Sequence, residues 1–156
     1  MKELIKLASK QQRRKYPNIP DHALPKIKYS DRTANGLTKC IIDFLRLQGW
    51  QAERISTTGR YLDQSKTYID VLGHHRVIGT GKWIPTSGQK GSADISATIA
   101  GQSVKIEIKI RDKQSPAQKE YQRQIEQSGG IYLLVRSWRD FAKWYKSRIK
   151  HRKPDS

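Results

Sequence analysis

The sequence predicts an α/β fold, a mixed sheet flanked by helices, and three observations predict it. Residues 35–49 set Leu37, Ile41, Ile42 and Leu45, with the neighbouring Phe44, along one helical stripe. Residues 94–111 alternate instead: Ile95, Ala97 and Ile99, then Val104, Ile106, Ile108 and Ile110, are apolar at every second position, the period of half-buried strands. Ser115, Pro116 and Gln118 open a further helix as a capping box with proline at its first position, and an apolar run over 131–135 follows. A chain of 156 residues suits one domain with a real core.

Charge bounds the partner. Thirty-one Lys and Arg stand against 14 Asp and Glu, a formal net charge of +17. An excess of this size points to a polyanion, most simply nucleic acid. No run approaches the roughly 20 apolar residues of a spanning helix, and no segment is a basic, strongly amphipathic anchor, so no membrane partner is expected. No apolar leader with a cleavage site opens the chain, so an intracellular, cytoplasmic location in a prokaryotic or phage-host cell is expected. The single cysteine, Cys40, excludes an internal disulfide and a multi-cysteine zinc site. Among Ile41, Ile42 and Phe44 it reads as a buried thiol.

In chain order, residues 2–14 predict a helix with Leu4, Ile5, Leu7 and Ala8 on one side, running into a basic stretch from Arg13 to Lys15. Pro17, Pro20 and Pro25 make residues 16–35 an extended connector, so 1–34 form a basic N-terminal extension. Asn35 is the expected N-cap of the helix ending at Gly49. A weak strand follows around 52–56. Residues 59–93 read as a loop-rich insertion with strand-like pieces at 68–72 and 76–78. Arg60, Lys66, Arg76, Lys82 and Lys90 there, with Arg111 beyond the hairpin, are candidate phosphate contacts, and Tyr61, Tyr68 and Trp83 are candidate stacking rings or packing aromatics. His74 and His75 are adjacent, so on a strand they point to opposite faces and cannot easily chelate one ion. Past the hairpin, Ala117, Tyr121 and Ile125 give the capping-box helix a packing face, and Gly129 and Gly130 end it. The run 131–135 reads as a central strand covered on both faces. Ser137 starts a last helix with Phe141, Trp144, Tyr145 and Ile149 on one side, and 151–156 is expected to be a frayed tail.

The hairpin carries the chemistry. With a two-residue turn at Gly101 and Gln102, Asp94 pairs with Lys109 and Ser96 with Glu107, and all apolar side chains stay on the other face. Opposed Cβ atoms lie about 5 Å apart and diagonal ones about 7–8 Å apart, so Asp94 and Glu107 can converge on one ion with Lys109 beside it. Hard cations take such oxygen ligands. The alternative is an exposed hairpin face with ion pairs each worth about 0–1 kcal/mol.

Asp94 after Gly91, Ser92 and Ala93, then Glu107, Ile108 and Lys109 on the next strand, then Ser115, Pro116 and Gln118, then Gly129 and Gly130 before an apolar strand, resembles the VRR-NUC branch of the PD-(D/E)xK nuclease superfamily. The resemblance spans roughly 35–141. It implies a restriction-endonuclease-like αβββαβ core over 35–150 and a Mg2+- or Mn2+-dependent DNA endonuclease, often acting on branched or otherwise structured DNA. It further implies that Asp94, Glu107 and the carbonyl of Ile108 ligate the ion, that Lys109 orients or activates the attacking water, and that Gln118 is an extra polar position near that water or phosphate. A capping box also explains Gln118 without catalysis. By the same analogy a homodimer suits a symmetric four-way junction.

One departure matters. Many superfamily members carry an acid in the first core helix near the metal, whereas this helix starts with Asn35 and Thr38, and its only acid, Asp43, lies between core positions. Asn35 is an accessory oxygen ligand or simply the cap. The competing function is a non-catalytic nucleic-acid-binding protein on the same fold.

Overall fold

Helix α1 (Lys2–Lys15) leads, through a proline-rich connector with one 3-10 turn at Asp21–Ala23, into α2 (Ala34–Leu47). The computed structural model describes residues 1–56, 59–86 and 88–150. Strands β1 (Gln51–Arg54), β2 (Arg60–Leu62), β3 (Lys66–Ile69), β4 (His75–Ile78), β5 (Lys82–Ile84), β6 (Ile95–Ile99) and β7 (Gln102–Ile108) follow. Helix α3 (Pro116–Gln127), β8 (Ile131–Val135) and α4 (Trp138–Lys150) complete the order. The expected frayed tail, 151–156, lies outside the described residues.

The chain divides into two compact units: Met1–Ile55 with the chain from Gly91 onward, and Ser56–Lys90. The first holds a mixed four-stranded sheet in the order β1-β6-β7-β8, antiparallel except for the β7–β8 pair. This is the mixed α/β class expected, a sheet flanked by helices.

One face of that sheet is the main core. Leu37, Cys40, Ile41, Phe44 and Leu45 of α2 pack with Ile95, Ala97, Ile99, Val104, Ile106 and Ile108 of the hairpin and with Trp138, Phe141 and Tyr145 of α4. Phe44 meets Trp138, Phe141 and Tyr145 edge-on, with centroids 5.1–6.0 Å apart, an arrangement aromatic quadrupoles favour. Leu4 anchors α1 there and is fully buried. The other face carries a smaller cluster, Ala93, Tyr121 and Tyr132 with Ile125, beneath α3. Cys40 is buried, as expected.

Three sequence expectations need correction. The hairpin turn is at Ala100 and Gly101, both at positive φ, as a type I′ turn requires. Ser96 therefore faces Lys105, not Glu107, and Ile95 faces Ile106. The register has moved by two residues, which preserves the face of every side chain. The N-cap of α2 is Thr33, whose side chain accepts from Gly36 N–H, and Asn35 lies one residue inside the helix. Strand β8 is an edge strand; its continuous apolar run reflects helices α3 and α4 on its two faces, not a central place.

The Ser56–Lys90 unit is more ordered than a loop-bearing insertion. Its four strands form two ladders, β2 with β5 and β3 with β4, the second nested in sequence within the first, so this unit is a β-arm. None of its strand residues is buried. No helix among the described residues is long and apolar enough to cross a membrane.

Candidate functional site

The corrected register changes the geometry at Asp94 and Glu107. Continued one step past its last bridge, Ile95 to Ile106, the β6–β7 ladder sets Asp94 opposite Glu107, where the expected register had set it opposite Lys109. Asp94 sits at the mouth of β6, and its Oδ2 accepts the Ile108 N–H at 2.8 Å while its own carbonyl accepts from Ile55 N–H at 2.8 Å. Both ends of the residue are thus pinned between β1 and β7.

Glu107 is the buried member, 2% exposed. Its Oε1 takes the Lys109 ammonium at 3.1 Å and the amide N–H of Gln118. Its Oε2 is buried with no hydrogen-bond partner. Burial pushes the Glu107 carboxyl above its ordinary range and the nearby negative charge of Asp94 pushes it further, while Lys109 and the main-chain N–H of Asp94 pull the other way. An unpaired buried carboxylate oxygen beside a second carboxylate is costly unless something positive completes it.

Gln118 does two jobs with one side chain. Its Oε1 accepts the Ser115 N–H at 2.9 Å, completing the capping box, which leaves its Nε2 to donate to Glu107. The cap fixes which end of the amide faces the acid. Gly91 holds this arrangement in place: its φ is +81°, and a Cβ there would meet the Ala117 carbonyl carbon at 2.5 Å. Only glycine allows the loop leading to Asp94 to run so close under the start of α3.

The resemblance-implied ion can be tested against these groups. Among the described residues no three His, Cys, Asp or Glu side chains gather into a metal group. The donors present are two carboxylates and a main-chain carbonyl, all oxygen, and Mg2+ is commonly held by one or two carboxylates plus waters and substrate phosphates. In a strand the N–H and C=O of one residue point the same way. Lys109 N–H donates to Val135 on the β8 side, so the Ile108 carbonyl, like the Ile108 N–H, turns toward Asp94. The unpartnered Oε2 of Glu107 and this donor set fit a hard divalent cation.

Other expected residues fall elsewhere. Asn35 is neither cap nor vacant ligand, because its Oδ1 accepts from Arg54 Nη2 at 2.9 Å. Asp43 accepts from the Tyr29 hydroxyl at 3.0 Å. Arg60, Lys66, Lys82 and Lys90 are exposed on the β-arm unit, and Arg111 is exposed just beyond β7. Arg76, also on the arm, is bound through Nε to Asp70 at 2.9 Å, so it is a braced cation. His74 and His75 are exposed at the end of the arm.

Sequence reasoning missed Tyr132. Its hydroxyl accepts from Gln114 at 3.5 Å, its ring meets Tyr121 edge-on, and burial followed by the charge of Glu107 pushes its pKa up to about 12. A run apolar at every position carries no alternation, so nothing marks Tyr132 as a residue of β8 close to the acids. Scans against protein-family models, curated proteins and solved structures each find no match for this chain.

Proposed function

We propose that this protein is a Mg2+- or Mn2+-dependent DNA endonuclease that hydrolyses phosphodiester bonds, with Asp94, Glu107, Lys109 and Gln118 as its working residues. The observation that carries the reading is the Glu107 carboxylate: one oxygen held by Lys109 and Gln118, the other buried and bare, with Asp94 opposite. The motif resemblance to VRR-NUC nucleases rests on these same residues, and the +17 charge supports a polyanionic substrate.

Asp94, the free oxygen of Glu107 and the Ile108 carbonyl would hold the divalent ion, which when bound supplies an acidified water and offsets charge building on the phosphate. The chain's own groups do the rest. Lys109 lies beside Glu107 and, turned to substrate, stabilises the phosphate oxygens and orients water. Gln118 fixes the Glu107 carboxylate so that the same oxygen, Oε2, is left free for the ion. Tyr132, close enough to feel the charges of Glu107 and Asp94, packs edge-on with Tyr121 beneath α3. Substrate would be held by exposed cations through phosphate contacts, and affinity would fall steeply with salt. Branched DNA, a homodimer and a cytoplasmic setting belong to the same proposal.

Incubation of the full chain with supercoiled and four-way-junction DNA, in Mg2+, Mn2+ or chelator, tests it. Metal-dependent nicking that disappears in Asp94→Ala and Lys109→Ala is the expected result. Salt-sensitive DNA binding with no cleavage in any metal would overturn the enzyme in favour of a non-catalytic binding protein, a reading favoured by the engagement of Asn35 with Arg54 where many superfamily members place an acid.

A further inference from the structure

Among the described residues, nine of the twelve large apolar side chains that stand exposed belong to the β-arm. Tyr61 and Trp83 face each other across the β2–β5 ladder, and each covers a glycine of the arm: a Cβ at Gly81 would collide with the Tyr61 ring, one at Gly59 with Trp83. Aromatic cover of strand glycines is a structural device, so these rings have local work. Val71 and Leu72 do not. They lie in the turn between β3 and β4, Val71 102% and Leu72 76% exposed, next to Ile69 at 62%.

That turn is held in one shape. Asp70 Oδ1 accepts the N–H of Leu72 and of His74 at 2.9 Å each, its Oδ2 takes Arg76, and its main chain exchanges bonds with Gly73 and His74. Gly73 has a φ of +81°, which the reversal requires. A lone two-stranded ribbon is marginal in water. This one fixes a tip that presents two apolar side chains to solvent.

We infer that Val71 and Leu72 form an apolar wedge that enters the base stack of duplex DNA, with the arm's cations seated on the flanking phosphates. Charge selects this occupant. The arm carries Arg60, Lys66, Arg76, Lys82 and Lys90 against only Asp63 and Asp70. Asp70 is neutralised by Arg76 and two amides, and Asp63 is engaged by the Ser65 N–H. Apolar side chains at the end of a basic element are the chemistry by which proteins unstack a base step, at a cost of about a few kcal/mol per step, and kink the helix. A rigid tip enters without first losing its own conformational freedom. The inference rests on the nucleic-acid partner of the proposed function and is independent of cleavage.

The test uses the full chain in chelator, so that no strand is cut, and duplexes carrying 2-aminopurine at successive positions in turn. The wild-type protein should raise 2-aminopurine fluorescence several-fold at saturation. In Val71→Ser/Leu72→Ser the rise should vanish and binding should weaken about tenfold, with the salt dependence of binding unchanged because the phosphate contacts remain. Both side chains are exposed, so the far-UV spectrum and thermal midpoint of this variant should match wild type. A rise that persists in the variant, or saturable wild-type binding with no rise, overturns the wedge. So does a wild-type dimer, seen by sedimentation, that the variant converts to monomer, since the tip would then join two copies. Absence of cleavage in metal alongside a retained fluorescence signal would remove the nuclease and leave the wedge standing.

Discussion

Glu107 is buried, raised in pKa and half-unsatisfied, which makes it an expense to the metal-free fold. The sign follows from linkage. A carboxyl whose folded pKa lies above its unfolded value binds more protons folded than unfolded, so stability falls as pH rises from the ordinary carboxylate range through the folded pKa. Glu107→Gln, which keeps an acceptor for Lys109 and Gln118, should therefore raise the thermal midpoint of the metal-free protein at neutral pH. The gain should shrink as the pH approaches 4.5, the ordinary Glu value. Thermal unfolding followed across pH checks it; a lowered midpoint at neutral pH would mean that Glu107 is held for stability and not for a ligand. Gln118→Ala removes both a cap and the amide that orients Glu107. Activity should fall about 10–100-fold, the range seen when partners of metal ligands are lost. Ser115→Ala removes the reciprocal half of the cap at a cost of about 1 kcal/mol in stability. Comparing nicking rates of the two separates orientation from helix stability.

At the scale of elements, the hairpin shows what periodicity can and cannot carry. Alternation assigned every β6 and β7 side chain to its face, because a strand repeats every two residues. It could not fix the register, because moving the turn from Gly101–Gln102 to Ala100–Gly101 slides the pairing by two and leaves all faces intact. The deciding residue, Ala100, adopts φ +50°, which alanine disfavours and periodicity does not encode. Ala100→Asn should suit the type I′ turn better and raise stability by about 1 kcal/mol without altering the sheet, measurable by denaturant midpoint. Thr33 and Asn35 both carry capping chemistry two positions apart, so the sequence points to Asn35 where the helix is capped by Thr33. Strands β2 and β5, with no buried residue on either face, leave no alternating trace in the sequence. The capping box of α3 was legible in full, since its residues are contiguous; its meeting with Glu107 was not, because that depends on the loop fixed by Gly91. Gly91→Ala, strained in φ and set against the Ala117 main chain, should cost more activity than stability.

Over the whole molecule, a strongly basic chain holds two acids side by side with one oxygen unpaired. Lys109 meets only one oxygen of Glu107, so the buried Oε2 remains the unfavourable part of the arrangement, and under the proposed function a divalent cation would complete it. A divalent ion that binds the folded state alone raises stability by about 2.7 kcal/mol at 100-fold above its Kd. Mn2+ should therefore lift the thermal midpoint of wild type and leave Asp94→Ala unmoved. The most direct measurement is calorimetric titration of Mn2+ into the metal-free protein at neutral pH, in wild type, Asp94→Ala, Glu107→Gln and Lys109→Ala. The carboxylate pair predicts saturable binding that is lost in the two acid variants and kept in Lys109→Ala, where a competing cation has been removed. Wild type with no saturable heat, or acid variants that bind as wild type does, would contradict it.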